Sequence, residues 1–213
     1  MVVAKHSGSK PQWPLYAFAL TVGLAGGVLT SFGQSIIHGG WNSVVNSAAP
    51  WVTVALVVGL RAPKLWRRAA AAGLLSQIGL VAGYYVTAEL RGFAAGISSV
   101  VIWLVVGAVA GPVYGAAGAL LQDDRRLVRT SAAGVTGSVW VMEGLQFLSL
   151  ASDSNSNSGP GRTAAWCYLA TGVVLPLVLA RTSRDRIRAL LGLGAAAGAA
   201  VVARMLIEMV FMF

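Results

Sequence analysis

Long apolar runs alternate along this chain with short connectors that are either basic or rich in turn-forming residues. A helix crossing a hydrocarbon layer needs about 20 apolar residues at ~1.5 Å rise each. Seven stretches approach that length: 14–37, 44–60, 69–90, 97–121, 131–151, 164–180 and 189–213. The pattern predicts an all-α, polytopic transmembrane helical bundle of about seven spans, with 1–213 forming one domain and 1–13 a basic N-terminal tail. The first run is longer than the apolar region of a signal peptide and leads into no clear cleavage site, so it is expected to be a retained anchor.

The second span is the weak one. If Pro50 lies in the first helical turn, where its missing N–H costs nothing, only 50–60 remain, about 16 Å of helix. Residues 38–51, HGGWNSVVNSAAPW, then either carry the helix through Pro50 or enter the membrane as irregular backbone. Irregular backbone survives at that depth only inside protein or along a polar cavity. Small residues mark how other spans pack. Gly107, Gly111 and Gly115 repeat every four residues, as do Gly79 and Gly83, which lets helices approach closely where lipid supplies no hydrophobic force.

Composition agrees with a membrane protein: 56% of residues are apolar and 11% charged, against about a quarter charged in soluble domains. A net charge of +9 raises the possibility of nucleic-acid binding, but the cations sit between the apolar runs. Thirteen of the 16 fall before span one or after spans two, four and six. That bias predicts a cytoplasmic N terminus, an external C terminus and contact with anionic lipid, in a multi-pass protein of the cell membrane. No nucleic-acid partner is expected. Cys167 has no intrachain partner, which excludes a disulfide scaffold and a cysteine zinc site. The SNSNSGPG run at 154–161 reads as an exposed external loop.

Polar side chains at depth carry the candidate chemistry. Thr136, Trp140, Glu143, Gln146 and Phe147 share one helical face of span five, with Glu143 about 18 Å along it. A charged side chain at that depth costs on the order of 2.5–3.5 kcal/mol and by default marks function. The bland alternative is a clasp, a carboxyl hydrogen-bonded to a neighbouring helix; Glu143→Gln would leave such a clasp folded. Gln34, Asn42, Asn46, Tyr84, Tyr85, Glu89, Trp103 and Arg204 lie in the same outer half, and Trp41, Trp51 and Trp140 lie beside these polar groups. A polar, aromatic-lined outer cavity is therefore expected. Arg204 and Glu208 are one turn apart and positioned to pair.

The chain has no phosphate-cradling glycine loop, no HExxH, no nucleophile elbow and no pair of aspartate-rich clusters for magnesium. No metal site and no cofactor are predicted. An isolated carboxyl, amide side chains and π-faces could serve a proton-initiated reaction through carbocations, because aromatic faces stabilise cations. They could equally serve a transporter with Glu143 as its proton site, or a structural subunit whose polar groups only lock helices.

GQ at 33–34, WNSVVNSAAPW at 41–51, GYY at 83–85, GPVYG at 111–115 and EG at 143–144 together give the chain a likeness that extends over nearly its whole length. By these pieces it resembles a family of small bacterial integral membrane proteins that includes the membrane-bound terpene cyclases of drimentine-type pathways. The resemblance implies metal-free, proton-initiated cyclisation of a farnesyl chain attached to a tryptophan-containing cyclic dipeptide or similar indole acceptor. It makes Glu143 the acid and sets Trp103, Trp140, Tyr84 and Tyr85 against the cationic intermediates. Gln34, Asn42, Asn46 and Gln146 would orient the acid or hold the polar head, with Trp41, Trp51, Glu89 and Phe147 completing the substrate wall. The implied partners are a prenylated small molecule and membrane lipid.

Overall fold

The computed structural model describes residues 13–93, 96–152 and 159–211. Seven long helices carry the bundle: α1 (Trp13–Ile36), α3 (Ala48–Leu60), α4 (Trp66–Leu90), α5 (Ile97–Leu120), α6 (Arg126–Ser152), α7 (Gly161–Leu179) and α8 (Ser183–Phe211). Between α1 and α3 come a 3-10 turn, Gly39–Trp41, and the single-turn helix α2 (Asn42–Val45). No strand occurs among the described residues. The expected all-α membrane bundle is what forms, although several helices outrun their apolar cores. α6 starts at Arg126 rather than 131 and α8 at Ser183 rather than 189. Hydropathy marks only the lipid-facing length, whereas backbone hydrogen bonding continues through the basic ends, where arginine stems reach toward water.

Six segments are long and apolar enough to cross a membrane: α1, α4, α5, α7, α8, and Gly39–Leu60, which contains α2 and α3. The seventh expected span, α6, is not among them, though at 27 residues it is about 40 Å long. Its Thr, Ser, Glu and Gln positions make it too polar to face lipid all round, and the bundle answers by packing it within protein. α6 lies against α7 and α8 and also touches α3 and α5. Thr136, Ser138, Glu143 and Phe147 are all buried.

The second span takes the irregular form of the two that the sequence allowed. α3 begins at Ala48 with Pro50 in its first turn, where no intrahelical N–H bond is required. Its 13 residues make about 20 Å of helix, short of a hydrocarbon layer of about 30 Å. The 3-10 turn and α2 supply the remainder. α3 is central: it touches α1, α4, α5 and α6, and joins a group built from α1, α4 and α5 to a group built from α6, α7 and α8.

Glycines set the spacing inside each group, as the four-residue repeats predicted. A Cβ at Gly83 would meet the backbone of Leu24 on α1, and one at Gly73 the backbone of Gly111 and Gly115 on α5. Gly137 and Gly172 bring α6 and α7 equally close. The connections after α3, α5 and α7 gather at one end. Lys64 Nζ lies 2.5 Å from Asp124 Oδ2, Gln122 donates to the Leu60 carbonyl at 3.0 Å, and Arg126 pairs with buried Asp185. In the same connection Arg125 holds the half-buried Asp123 carboxyl below the ordinary aspartate range, first through its guanidinium and then through its backbone N–H. Gly40 meets Gly159 at the opposite end, which fixes the alternation of the helices. Lys5, Lys10 and most of the 154–161 run lie outside the described residues.

Candidate functional site

A helix starts with N–H groups that have no intrahelical acceptor. At the start of α3 a side chain from another helix meets them. The Ala48 N–H donates to Glu143 Oε1 and the Ala49 N–H to Glu143 Oε2, both at 2.8 Å. The next residue is Pro50, which has no N–H to satisfy. Ser47 occupies the N-cap without a capping side-chain bond; its hydroxyl instead pairs with Tyr168 at 2.8 Å, and Tyr168 donates to the Val44 carbonyl at 3.3 Å. The Glu143 carboxyl thus sits at the positive end of the α3 dipole, where negative charge is stabilised. It is 7% exposed and about 26 Å from the start of α6 by helical rise.

That same carboxyl lines a cavity of about 410 Å³. Gln34, Asn42, Asn46, Trp103, Gln146 and Phe147 line it too, so seven of the residues singled out in the sequence converge. Ser43 and Ser47 complete the wall. The volume falls at the small end of the range of about 300–1,000 Å³ for small-molecule sites. Aromatic rings flank the cavity on two sides. On one, Trp103 packs at a tilt against buried Trp51 at 4.8 Å, Trp51 meets Tyr84 edge-on at 5.9 Å, and Tyr84 meets Tyr85 at 4.8 Å. On the other, Phe147 lies 5.1 Å from Tyr168, which also packs against Trp140 at 4.8 Å.

Gln34 and Asn42 form the partition to a second cavity of about 270 Å³. The partition is fully cross-linked: Tyr84 Oη donates to Gln34 Oε1 at 2.5 Å, Gln34 Nε2 to Asn42 Oδ1 at 3.0 Å, and Asn42 Nδ2 to the Gln34 carbonyl at 2.6 Å. Tyr84 therefore faces the second cavity with Tyr85 packed against it, and Trp51 and Trp140 support the first from behind. Trp41 is 48% exposed on the 3-10 turn, and Glu89 is exposed on α4; neither lines either of these two cavities. Arg204 and Glu208 pair at 2.6 Å on α8 and line neither of the two cavities.

Among the described residues three buried side-chain polar atoms lack a partner: Asn46 Oδ1 and the indole N–H groups of Trp51 and Trp140. All belong to residues at or directly behind the larger cavity. Among the described residues no three His, Cys, Asp or Glu side chains gather as a metal site would require. What the arrangement offers is a carboxyl whose charge two backbone donors can hold, amides free to meet a polar group, and ring faces.

Ser47 and Tyr168, and Arg91 in the wall of the second cavity, are not among the site residues predicted from the sequence. Ser47 carried a usable signal, since serine is a favoured residue at a helix start and Pro50 is tolerated only in a first turn. Tyr168 carried none, because an isolated tyrosine on an apolar span reads as core. The chain matches none of the curated proteins and none of the solved structures. A family model does match it over residues 6–209, and the chain belongs to that family, DUF6518, a family of unknown function.

Proposed function

We propose that this is a multi-pass protein of the cell membrane whose Glu143 cavity cyclises a prenyl chain by protonation. The substrate is a farnesyl group attached to a tryptophan-containing cyclic dipeptide or similar indole acceptor, in keeping with the drimentine-type cyclases that the chain resembles. The observation that carries the proposal is the Glu143 carboxyl, on the cavity wall, backed by the Ala48 and Ala49 N–H groups.

An alkene is a weak base, so its proton donor must leave behind a well-stabilised conjugate base. The two amides at the start of α3 supply that stabilisation from fixed positions, with no reorganisation during the reaction. Each oxygen keeps a second lone pair on which a proton can reside. Transfer of that proton to the terminal alkene forms a C–H bond and a tertiary carbocation. Successive alkenes then close rings, and a base removes one proton, so that the product has the mass of the substrate. Trp103 and Phe147 on the wall offer π-faces to the cations. Asn46, with its unpartnered oxygen, and Gln146 suit the N–H groups of a polar head.

One observation favours a purely structural Glu143: it completes the start of α3 as a cap. Purified protein in detergent, incubated with a farnesylated cyclic dipeptide, separates the readings. Wild type is expected to yield an isomer of unchanged mass by liquid chromatography and mass spectrometry, and Glu143→Gln none per folded molecule. Equal yields from the two proteins would remove Glu143 from the chemistry, and no isomer from either would sink the cyclase reading.

A further inference from the structure

Arg91 ends α4 on the side of the bundle that carries few cations, and its surroundings do not neutralise it. No carboxylate lies within ion-pair distance among the described residues; Glu89, two positions back, is exposed and does not pair with it. The guanidinium is nonetheless held firmly. Nη1 donates to the Ser31 carbonyl at 2.5 Å and to Ser31 Oγ at 3.1 Å, and Nη2 donates to Ser35 Oγ at 2.6 Å. Phe32 and Phe93 lie over it at 4.6 and 5.2 Å. A guanidinium has five N–H donors. Three are used here, and two are not.

The 270 Å³ cavity beside it repeats this bias. Its acceptors are already engaged: Gln34 Oε1 by Tyr84, Asn42 Oδ1 by Gln34, and Ser35 Oγ by Arg91. The donors of Tyr84, Asn42 and Ser35 are engaged as well, but two are left over, since the Gln34 amide has a second N–H and the Ser31 hydroxyl accepts from Arg91 without donating. No carboxylate lines the cavity. We infer that the Arg91 cavity binds a phosphate-bearing group, the head of a phospholipid or a free phosphate. Four donors from three residues suit an oxyanion with several acceptor oxygens better than the two of a carboxylate, and a pinned, planar guanidinium loses little freedom on binding it. The end of α4 is also where a membrane presents its phosphates. This inference does not depend on the chemistry at Glu143.

The test uses the full chain in dodecyl maltoside with two probes, short-chain phosphatidylglycerol and inorganic phosphate. Arginine modification by hydroxyphenylglyoxal, read residue by residue by mass spectrometry, is expected to slow about tenfold at Arg91 with a bound probe, with Arg162 as the unprotected exposed control. Protection by the lipid alone assigns the site to a head group; protection by both assigns it to phosphate itself. Protection by neither overturns the inference. In Arg91→Gln the affinity for the protecting probe should fall at least about tenfold, the scale of a single charge-assisted hydrogen bond, while Arg162→Gln binds as wild type. A folded Arg91→Gln protein that binds as tightly as wild type would also overturn it. If that variant does not fold, the modification rates of the wild-type protein decide.

Discussion

In Glu143→Gln the new amide sets an NH2 group against one of the two backbone donors at Ala48 and Ala49, because both carboxyl oxygens accept there. One buried donor is then left without an acceptor, at a cost of about 1–3 kcal/mol. The sequence expectation that an amide preserves a clasp therefore changes: Glu143→Gln should fold with a measurably lower thermal midpoint in detergent. Glu143→Asp keeps both acceptors but draws them back by one methylene. It should retain weak turnover, since a misplacement of about 1 Å can cost on the order of a hundredfold in rate. An unchanged midpoint for Glu143→Gln would mean that the two amides do not bind the carboxyl. Depth along span five was enough to single out Glu143, because an acid inside an apolar run is visible in one dimension. Its partners were not visible, since backbone N–H groups leave no trace in residue identity and α3 lies some 95 positions earlier in the chain.

Helices, rather than residues, decide where substitutions are tolerated. Gly73 lies where α4 and α5 touch backbone to backbone, whereas Gly194 on α8 has nothing within 4 Å. Gly73→Val should separate the helices and remove most folded protein, as judged by size-exclusion profiles in detergent. Gly194→Ala should leave the profile intact and raise stability by up to about 1 kcal/mol, from helix propensity alone. Equal tolerance at both positions would contradict this packing. The glycine periodicity of spans three and four foretold such faces without saying which partner each would meet. The polar stripe of α6 marked a candidate face in the sequence yet kept the helix from resembling a membrane span, and only its neighbours explain how it is accommodated. The break before α3 was legible from Pro50, whereas the form of residues 38–47 depended on contacts far away in sequence.

At the scale of the whole molecule the charges define an axis. Eleven arginines and lysines lie at the end that gathers the connections after α3, α5 and α7, and Arg91 and Arg162 lie at the other. By the positive-inside rule the crowded end is expected to be the cytoplasmic one. In a variant lacking Cys167, a membrane-impermeant thiol reagent applied to intact cells should label Thr163→Cys and spare Ser183→Cys. The reverse pattern would invert the topology and carry both cavities to the cytoplasmic side. This axis was readable from the sequence because it depends on counting cations between apolar runs; the meeting of Gly40 with Gly159 at the opposite end was not.

The arrangement at the start of α3 also bears on how the protein is made. A ribosome delivers Ala48 and Ala49 to the membrane long before it reaches Glu143, and in the interval their N–H groups have no side-chain acceptor at a depth where water is scarce. The first five helices can be inserted, but the N-terminal edge of α3 cannot settle until α6 has been synthesised and has docked. The larger cavity, whose wall draws on α1, the 42–47 segment, α5 and α6, closes at that same step. Maturation of the site is thereby tied to the late part of translation, and a nascent chain stalled after α5 would display an unfinished helix end to the cell's membrane quality control.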